Sequence, residues 1–307
     1  MSSELRGVCP IVDTPFTPDG HVDYDSLEGL VTALGRNGCH ALALFGYASE
    51  FYKLDETERE QMTEIVVEGC ADHGIPSVIS VTAQSTDVAV DQAERYADLG
   101  ADALMVLPPH VRSPPVSEVR EHLATLGEAV DLPLMVQYAP GSTNMAIPVE
   151  TFASLYNEVE NIEHFKIECE PPGPYVEALH DQTDGDASVF VGRAGYEMIE
   201  AFDRGCTGVM PASAMYDIYL QIYDHYHAGR RDAAIDLHTD LLGVLNQLTK
   251  VGIQFEKRIL ARRGLVASDH CRDPETHPDE TATALMDEYY DRYVAPNVSV
   301  EQPADDD

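Results

Sequence analysis

The feature that most constrains this chain is a unit repeated eight times. A short run of apolar, often β-branched residues is followed each time by a stretch with helical periodicity. The apolar runs fall at 7–12, 40–45, 77–81, 103–107, 134–137, 161–170, 188–191 and 208–211. Helical patterns fill the intervals, and Asp55 with Glu58 three residues on predicts a capping box at the start of one of them. Strands alternating with helices pair in parallel, and eight such units in succession make a (β/α)8 TIM barrel. A doubly wound open sheet is the competing arrangement, but no Gly-x-Gly-x-x-Gly follows the first strand.

After the eighth strand the pattern changes. From 216 to 263 there is helical periodicity without a proline, and a last helix is expected over 281–293. A barrel does not require these helices. They predict a C-terminal helical extension packed on the barrel or on another subunit. The expected division is a barrel catalytic domain at 1–225, the extension at 226–296 and an acidic, disordered tail at 297–307.

Charge narrows the function. Against 19 Lys+Arg stand 54 Asp+Glu, a net charge of −35, which repels phosphate backbones and anionic bilayers. Nucleic acid and membrane surfaces are thereby excluded as partners. Acidic surfaces with scarce lysine also resemble those of proteins from salt-rich cytoplasm, where screening moderates self-repulsion. The six cysteines, at 9, 39, 70, 169, 206 and 271, form no Cys-x-x-Cys, so reduced thiols are expected, with neither a disulfide framework nor a zinc knuckle. The N-terminus has no apolar core of the leader type, and a cytoplasmic location is expected.

Of the four lysines, 53, 166, 250 and 257, only Lys166 sits between Phe165 and Ile167 in a strand that reads as buried. Desolvation favours the neutral amine, which can attack a ketone to form an imine. An ordinary ion pair with Glu168 is the other reading of the same residues. In a barrel the C-terminal ends of the strands share one mouth. Those ends carry Thr14, the loop 46–50 (Gly-Tyr-Ala-Ser-Glu), His110, Arg112, Gln137, Tyr138, Lys166, Glu168 and Arg193. An amine nucleophile, the proton-transfer candidates His110, Tyr47 and Tyr138, and two guanidinium groups suit an α-keto acid. Glu50 is expected to brace its loop. His225-x-His227 reads as a solvated helix face, and His270-Cys271 lacks a partner cluster.

Taken in order, these motifs resemble the dihydrodipicolinate synthase and N-acetylneuraminate lyase family of class I pyruvate-type aldolases. The resemblance rests on Thr14-Pro15-Phe16, on 46–50 where the family has Gly-Thr-Thr-Gly-Glu, and on Tyr138-Ala139-Pro140 near its Tyr-Asn-x-Pro. Phe165-Lys166-Ile167-Glu168 lies at the family's imine-forming lysine, and the segment 205–212 resembles its strand eight. The resemblance implies Lys166 as imine former, with Tyr138, His110 and Tyr47 moving protons. It implies Ala48, Ser49, Gln137, Arg112, Glu168, Arg193 and Met210 around the substrate, no cofactor or metal, and a homotetramer built as a dimer of dimers. The departures redirect the substrate. Tyr47 and Ala48 replace the usual Thr/Ser pair, and Gln137 stands where alignment on Pro140 puts the family's tyrosine. His110 takes the place of a second relay tyrosine, and Ser142 that of a substrate-binding arginine. They point away from 4-hydroxy-tetrahydrodipicolinate synthesis and toward cleavage or dehydration of a 2-keto-3-deoxy sugar acid. A metal-dependent barrel aldolase would have only His110 and Glu168 to draw on, and the eroded positions also keep open a non-catalytic paralogue.

Overall fold

The structure, a computed structural model, describes residues 5–273 and 277–298. The expected tail at 297–307 lies outside the described residues from 299 on. Eight strands form one parallel sheet: β1 (Gly7–Val8), β2 (Leu42–Leu44), β3 (Ser77–Val81), β4 (Ala103–Val106), β5 (Leu134–Tyr138), β6 (Ile162–Ile167), β7 (Ser188–Val191) and β8 (Gly208–Val209). Neighbours run β1-β8-β7-β6-β5-β4-β3-β2, and Ile11 bridges both Ala43 and Ala212, which brings the two ends of the ladder together. The TIM barrel expectation holds.

The first and last strands are shorter than their apolar runs. Pro10 and Pro211 carry no N–H, so the ladder breaks at each of them. Their carbonyls still serve: Pro10 accepts from the Ala43 N–H at 2.9 Å and Pro211 from the Ile11 N–H at 2.7 Å.

Around the barrel run α1 (Tyr24–Arg36), α2 (Glu56–His73), α3 (Thr86–Asp98), α4 (Val116–Ala129), the single turn α5 (Pro140–Thr143), α6 (Val149–Glu158), α7 (Gly173–Gln182) and α8 (Met198–Asp203). The capping box forms as expected, with Asp55 accepting from the Glu58 N–H at 2.9 Å and Glu58 from the Asp55 N–H at 3.1 Å. Side chains alternate across each strand. Cys9, Ile11, Ala43, Met105, Met135 and Phe190 fill the barrel interior, while Leu44, Val106, Val136, Phe165 and Ile167 join the core beneath the helices. On β6 this parity has one consequence that matters for function. With Phe165 and Ile167 facing outward, Lys166 faces in.

Among the described residues four further α-helices follow: α9 (Tyr216–His227), α10 (Arg231–Val251), α11 (Ile253–Arg262) and α12 (Glu280–Tyr289). Among the described residues no helix is long and apolar enough to cross a membrane. The α11 helix is fastened to the barrel mouth by a charge pair. Lys257 Nζ lies 3.1 Å from Glu50 Oε1 with both side chains wholly buried, donates to the Thr14 carbonyl, and sits 4.5 Å from the centre of the Phe16 ring. This corrects the expectation that Lys166 alone is a buried lysine; Lys257 is enclosed more completely. Glu50, as expected, braces its loop.

Removing one member of a buried pair strands the other's charge. Lys257→Ala is therefore expected to lower the unfolding free energy by about 3–5 kcal/mol in urea titration, with much of the loss recovered by combining Glu50→Gln with Lys257→Met. Wild-type stability in the single variant would show that the pair does not hold α11.

Candidate active site

Lys166 stands at the inner face near the C-terminal end of β6, 4% exposed, in register with Gln137 of β5 and Phe190 of β7. Its Nζ lies 3.5 Å from Glu168 Oε1. That carboxylate is held at both oxygens: Oε1 also accepts from the Arg193 N–H at 3.0 Å, and Oε2 accepts from Gln137 Nε2 at 2.6 Å. The Arg193 amide follows Gly192 into a turn where Arg193 and Ala194 both take left-handed backbone conformations, at φ 48° and 51°. Non-glycine residues rarely adopt these angles, and such strain concentrates at functional sites. Gly192 has its own reason to lack a side chain, because a Cβ there would stand 2.0 Å from Glu168 Oε1.

The Lys166 and Glu168 side chains open into a cavity of about 480 Å³. Tyr47, Ala48, Arg193 and Met210 line it with them, so six of the sequence-predicted residues share one space. Tyr47 is 38% exposed at the rim. Burial of its ring raises the phenol above the ordinary tyrosine value, and a hydrogen bond with Ser142 opposes this. Arg193 is already engaged, its guanidinium 3.1 Å from Glu170 and 3.3 Å from Glu197.

Other predicted residues go elsewhere. Tyr138 points out of the barrel, stacked on Tyr175 at 4.7 Å and edge-on to Phe152 at 5.6 Å, with its hydroxyl accepting from the Ile147 N–H. It lies one residue from the inward-facing Gln137, and a one-residue step along a strand exchanges faces. A proton-transfer role beside Lys166 is corrected accordingly. Gln137 is 3% exposed and spends its amide on Glu168. Ser49 is wholly buried; its hydroxyl donates to the Val12 carbonyl at 2.6 Å and accepts from the Phe45 N–H at 3.1 Å, so it ties the loop to the segment that follows β1. Thr14 does the same in reverse, donating to the Ser49 carbonyl. His110 is half-buried in the turn after β4, where its backbone N–H and that of Val111 donate to Gln84 Oε1. Neither it nor the exposed Arg112 is among the residues that line the cavity. His110 and Glu168 are thus not brought into one site. Among the described residues, no group of three or more His, Cys, Asp and Glu side chains is arranged to hold a metal.

Two buried carboxyls, one of them on the cavity wall, escaped the sequence reading. Glu256 of α11 lines the cavity, is 3% exposed, and has one oxygen, Oε2, with no hydrogen-bond partner. Burial first, and then the charge of Asp13, push its pKa well above the ordinary carboxylate range. Asp13, beyond β1, accepts from the Ser213 N–H and hydroxyl at 3.0 and 2.6 Å. Burial raises it to about 6 against the opposing pull of Lys257. A signal was present: Ile253, Glu256, Lys257 and Leu260 follow the i, i+3, i+4, i+7 spacing of an apolar helix stripe, so two charges occupy positions facing the protein.

Gly192→Ala is expected to drive the Glu168 carboxylate off the Arg193 amide and lengthen its 3.5 Å contact with Lys166 beyond ion-pair range, as read from the variant's crystal structure. An unmoved carboxylate would contradict the close-approach argument.

Comparison with known proteins agrees with this arrangement. The model of the dihydrodipicolinate synthetase family matches residues 4–288. The chain is 28% identical over 288 residues to an L-2-keto-3-deoxyarabonate dehydratase of Azospirillum brasilense, covering 91% of this chain and 92% of that protein. It is 29% identical over 208 residues to a 4-hydroxy-tetrahydrodipicolinate synthase of Haloarcula marismortui, covering 67% of each. Among solved structures, a monomeric dihydrodipicolinate synthase variant superposes with a TM-score of 0.86 at 22% identity, over 96% of this chain and 98% of that one, a likeness of fold. With eight βα units closed into a barrel, a lysine at the inner end of the sixth strand and a family match over nearly its whole length, this chain belongs to the dihydrodipicolinate synthetase family.

Proposed function

We propose that the protein is an imine-forming lyase whose substrate is a 2-keto-3-deoxy sugar acid, with Lys166 as the nucleophile. The observation that carries this reading is the Lys166 amine itself, buried on the barrel's inner wall yet opening into a cavity, with a clamped carboxylate 3.5 Å away. An amine in that position attacks the C2 ketone, and the iminium becomes an electron sink for the bonds at C3. Glu168 stands where it can exchange protons with the amine and with the substrate carbon beside it. Tyr47 remains at the rim as a further proton carrier. The substrate carboxylate would rest between Arg193 and the backbone N–H of Ala48, since the Ser49 N–H is already given to Gly46.

The dehydratase from Azospirillum brasilense, similar over 91% of this chain, supports a sugar acid as substrate. A second reading, 4-hydroxy-tetrahydrodipicolinate synthesis, draws on the relative from Haloarcula marismortui. Against it stand Gln137 bound to Glu168, Tyr138 facing outward, and Ser142 where the synthases place an arginine.

The proposal extends to assembly and surroundings. We read the chain as a barrel catalytic domain at 1–225, a helical extension at 226–296 that helps to form a homotetramer, and an acidic tail at 297–307, working in a salt-rich cytoplasm where ions screen its charge of −35. Light scattering with thermal unfolding across a potassium chloride series is expected to give the mass of four chains and a midpoint that rises with salt. A species of one 33.7 kDa chain at every salt concentration, or a salt-independent midpoint, would contradict this part.

The chemistry is tested by borohydride reduction in the presence of pyruvate or a 2-keto-3-deoxypentonate, followed by peptide mapping. A reduced adduct on Lys166, absent from Lys166→Ala, is expected. No adduct with either acid would remove the imine mechanism and favour a non-catalytic barrel.

A further inference from the structure

Glu256 of α11 is a cavity-lining carboxyl with an unpartnered buried oxygen, Oε2. Buried polar atoms in folded proteins are nearly always paired, so this oxygen is placed for a group the protein itself does not supply. Its surroundings differ from those of Glu168. Glu168 meets only donors: the Lys166 ammonium, the Arg193 N–H and the Gln137 amide. Glu256 lies within electrostatic reach of Asp13 beyond β1 and of the Tyr219 phenol of α9, neither of them cationic. The adjacent cation, Lys257, is committed to Glu50 and the Thr14 carbonyl. Also on the cavity wall stand Lys166 and Glu168, paired with each other, and Arg193, paired with Glu170. A third carboxyl on the cavity wall, Asp273, accepts from the Tyr52 hydroxyl at 2.8 Å. The other two, Glu168 surrounded by donors and Glu256 desolvated beside an anion, form an acid/base pair with the roles assigned by environment.

We propose that Glu256 is the general acid of a dehydration, delivering its proton to the hydroxyl that leaves C4 of the substrate. This deepens the reading that the protein forms an imine with a 2-keto-3-deoxy sugar acid, and depends on it. In the iminium on Lys166, the Glu168 carboxylate takes a proton from C3, and the electrons of that C–H bond form the C2–C3 double bond of an enamine. The enamine electrons then form a C3–C4 double bond and restore the iminium as the C4–O bond breaks. The departing hydroxyl takes the Glu256 proton and leaves as water. Hydrolysis of the iminium frees the lysine, and exchange of the Glu168 proton to solvent and recovery of one by Glu256 close the cycle. The net change is loss of one water. Holding that proton at neutral pH is what the burial of Glu256 and the nearby Asp13 charge favour. The role also fills a gap, because Tyr138 faces away from the cavity and Gln137 cannot donate an acidic proton.

The test compares wild type with the near-isosteric Glu256→Gln and with Glu256→Asp. Three readouts are needed: the borohydride adduct of pyruvate on Lys166, exchange of the pyruvate methyl hydrogens in heavy water, and dehydration of a 2-keto-3-deoxypentonate as a function of pH. Adduct and exchange probe the imine and Glu168 without a leaving group, and both are expected to persist in Glu256→Gln. Dehydration is expected to fall by about 100- to 10,000-fold in that variant, the span of general acid catalysis, with partial recovery in Glu256→Asp and loss of the wild type's alkaline limb. Dehydration within about threefold of wild type and an unchanged pH profile in Glu256→Gln would overturn the assignment. Parallel loss of adduct, exchange and dehydration in that variant would also overturn it, by making Glu256 merely structural. Absence of adduct and exchange in wild type would overturn the imine reading, and this inference with it.

Discussion

An ammonium on the inner wall of a barrel otherwise lined by Ile11, Met105, Met135, Phe190 and Met210 is the constraint from which the rest of the site follows. Desolvating a charge costs several kcal/mol unless an opposite charge and good hydrogen bonds offset it. Glu168 supplies the charge, and three neighbours then fix Glu168. Gln137 donates to one oxygen, the Arg193 amide to the other, and Gly192 leaves the space that the carboxylate occupies. The left-handed residues Arg193 and Ala194 belong to the same construction, since they turn the chain so that its amide meets the carboxylate. Gln137 thus serves as a clamp on that carboxylate.

The second buried lysine gives the helical extension a role at the site. Lys257 binds Glu50 in the loop after β2, and this fastens the preceding turn of α11 over the mouth, where Ile253 and Glu256 complete the cavity wall. A barrel alone would leave that side open. The extension is therefore part of the site's geometry as well as a candidate surface for assembly.

The fold was legible because parity and periodicity are local. Ser77–Val81 coincides with its apolar run, and the Asp55 capping box starts α2 where the sequence places it. The end strands ran short at Pro10 and Pro211, where the missing N–H outweighs an apolar composition. Lys166 was legible for the same local reason, being a charge between two outward-facing apolar residues. Tyr138 was harder, because its face depends on whether the strand still alternates at its end, and it does. Glu256 and Lys257 were missed because their burial is decided by contacts with residues more than 200 positions earlier, Asp13 and Glu50. His110 and Arg112 were placed at the mouth by their position after β4, yet neither is among the residues that line the cavity, and Gln84 holds the backbone of that turn.

The most direct measurement of the central claim is a crystal structure of the protein soaked with a 2-keto-3-deoxy sugar acid. Continuous density from Lys166 Nζ to C2 of the ligand is predicted, with Glu168 beside C3 and Glu256 on the side of C4. A ligand bound without a bond to Lys166, or seated away from the cavity that Lys166 and Glu256 share, would contradict it.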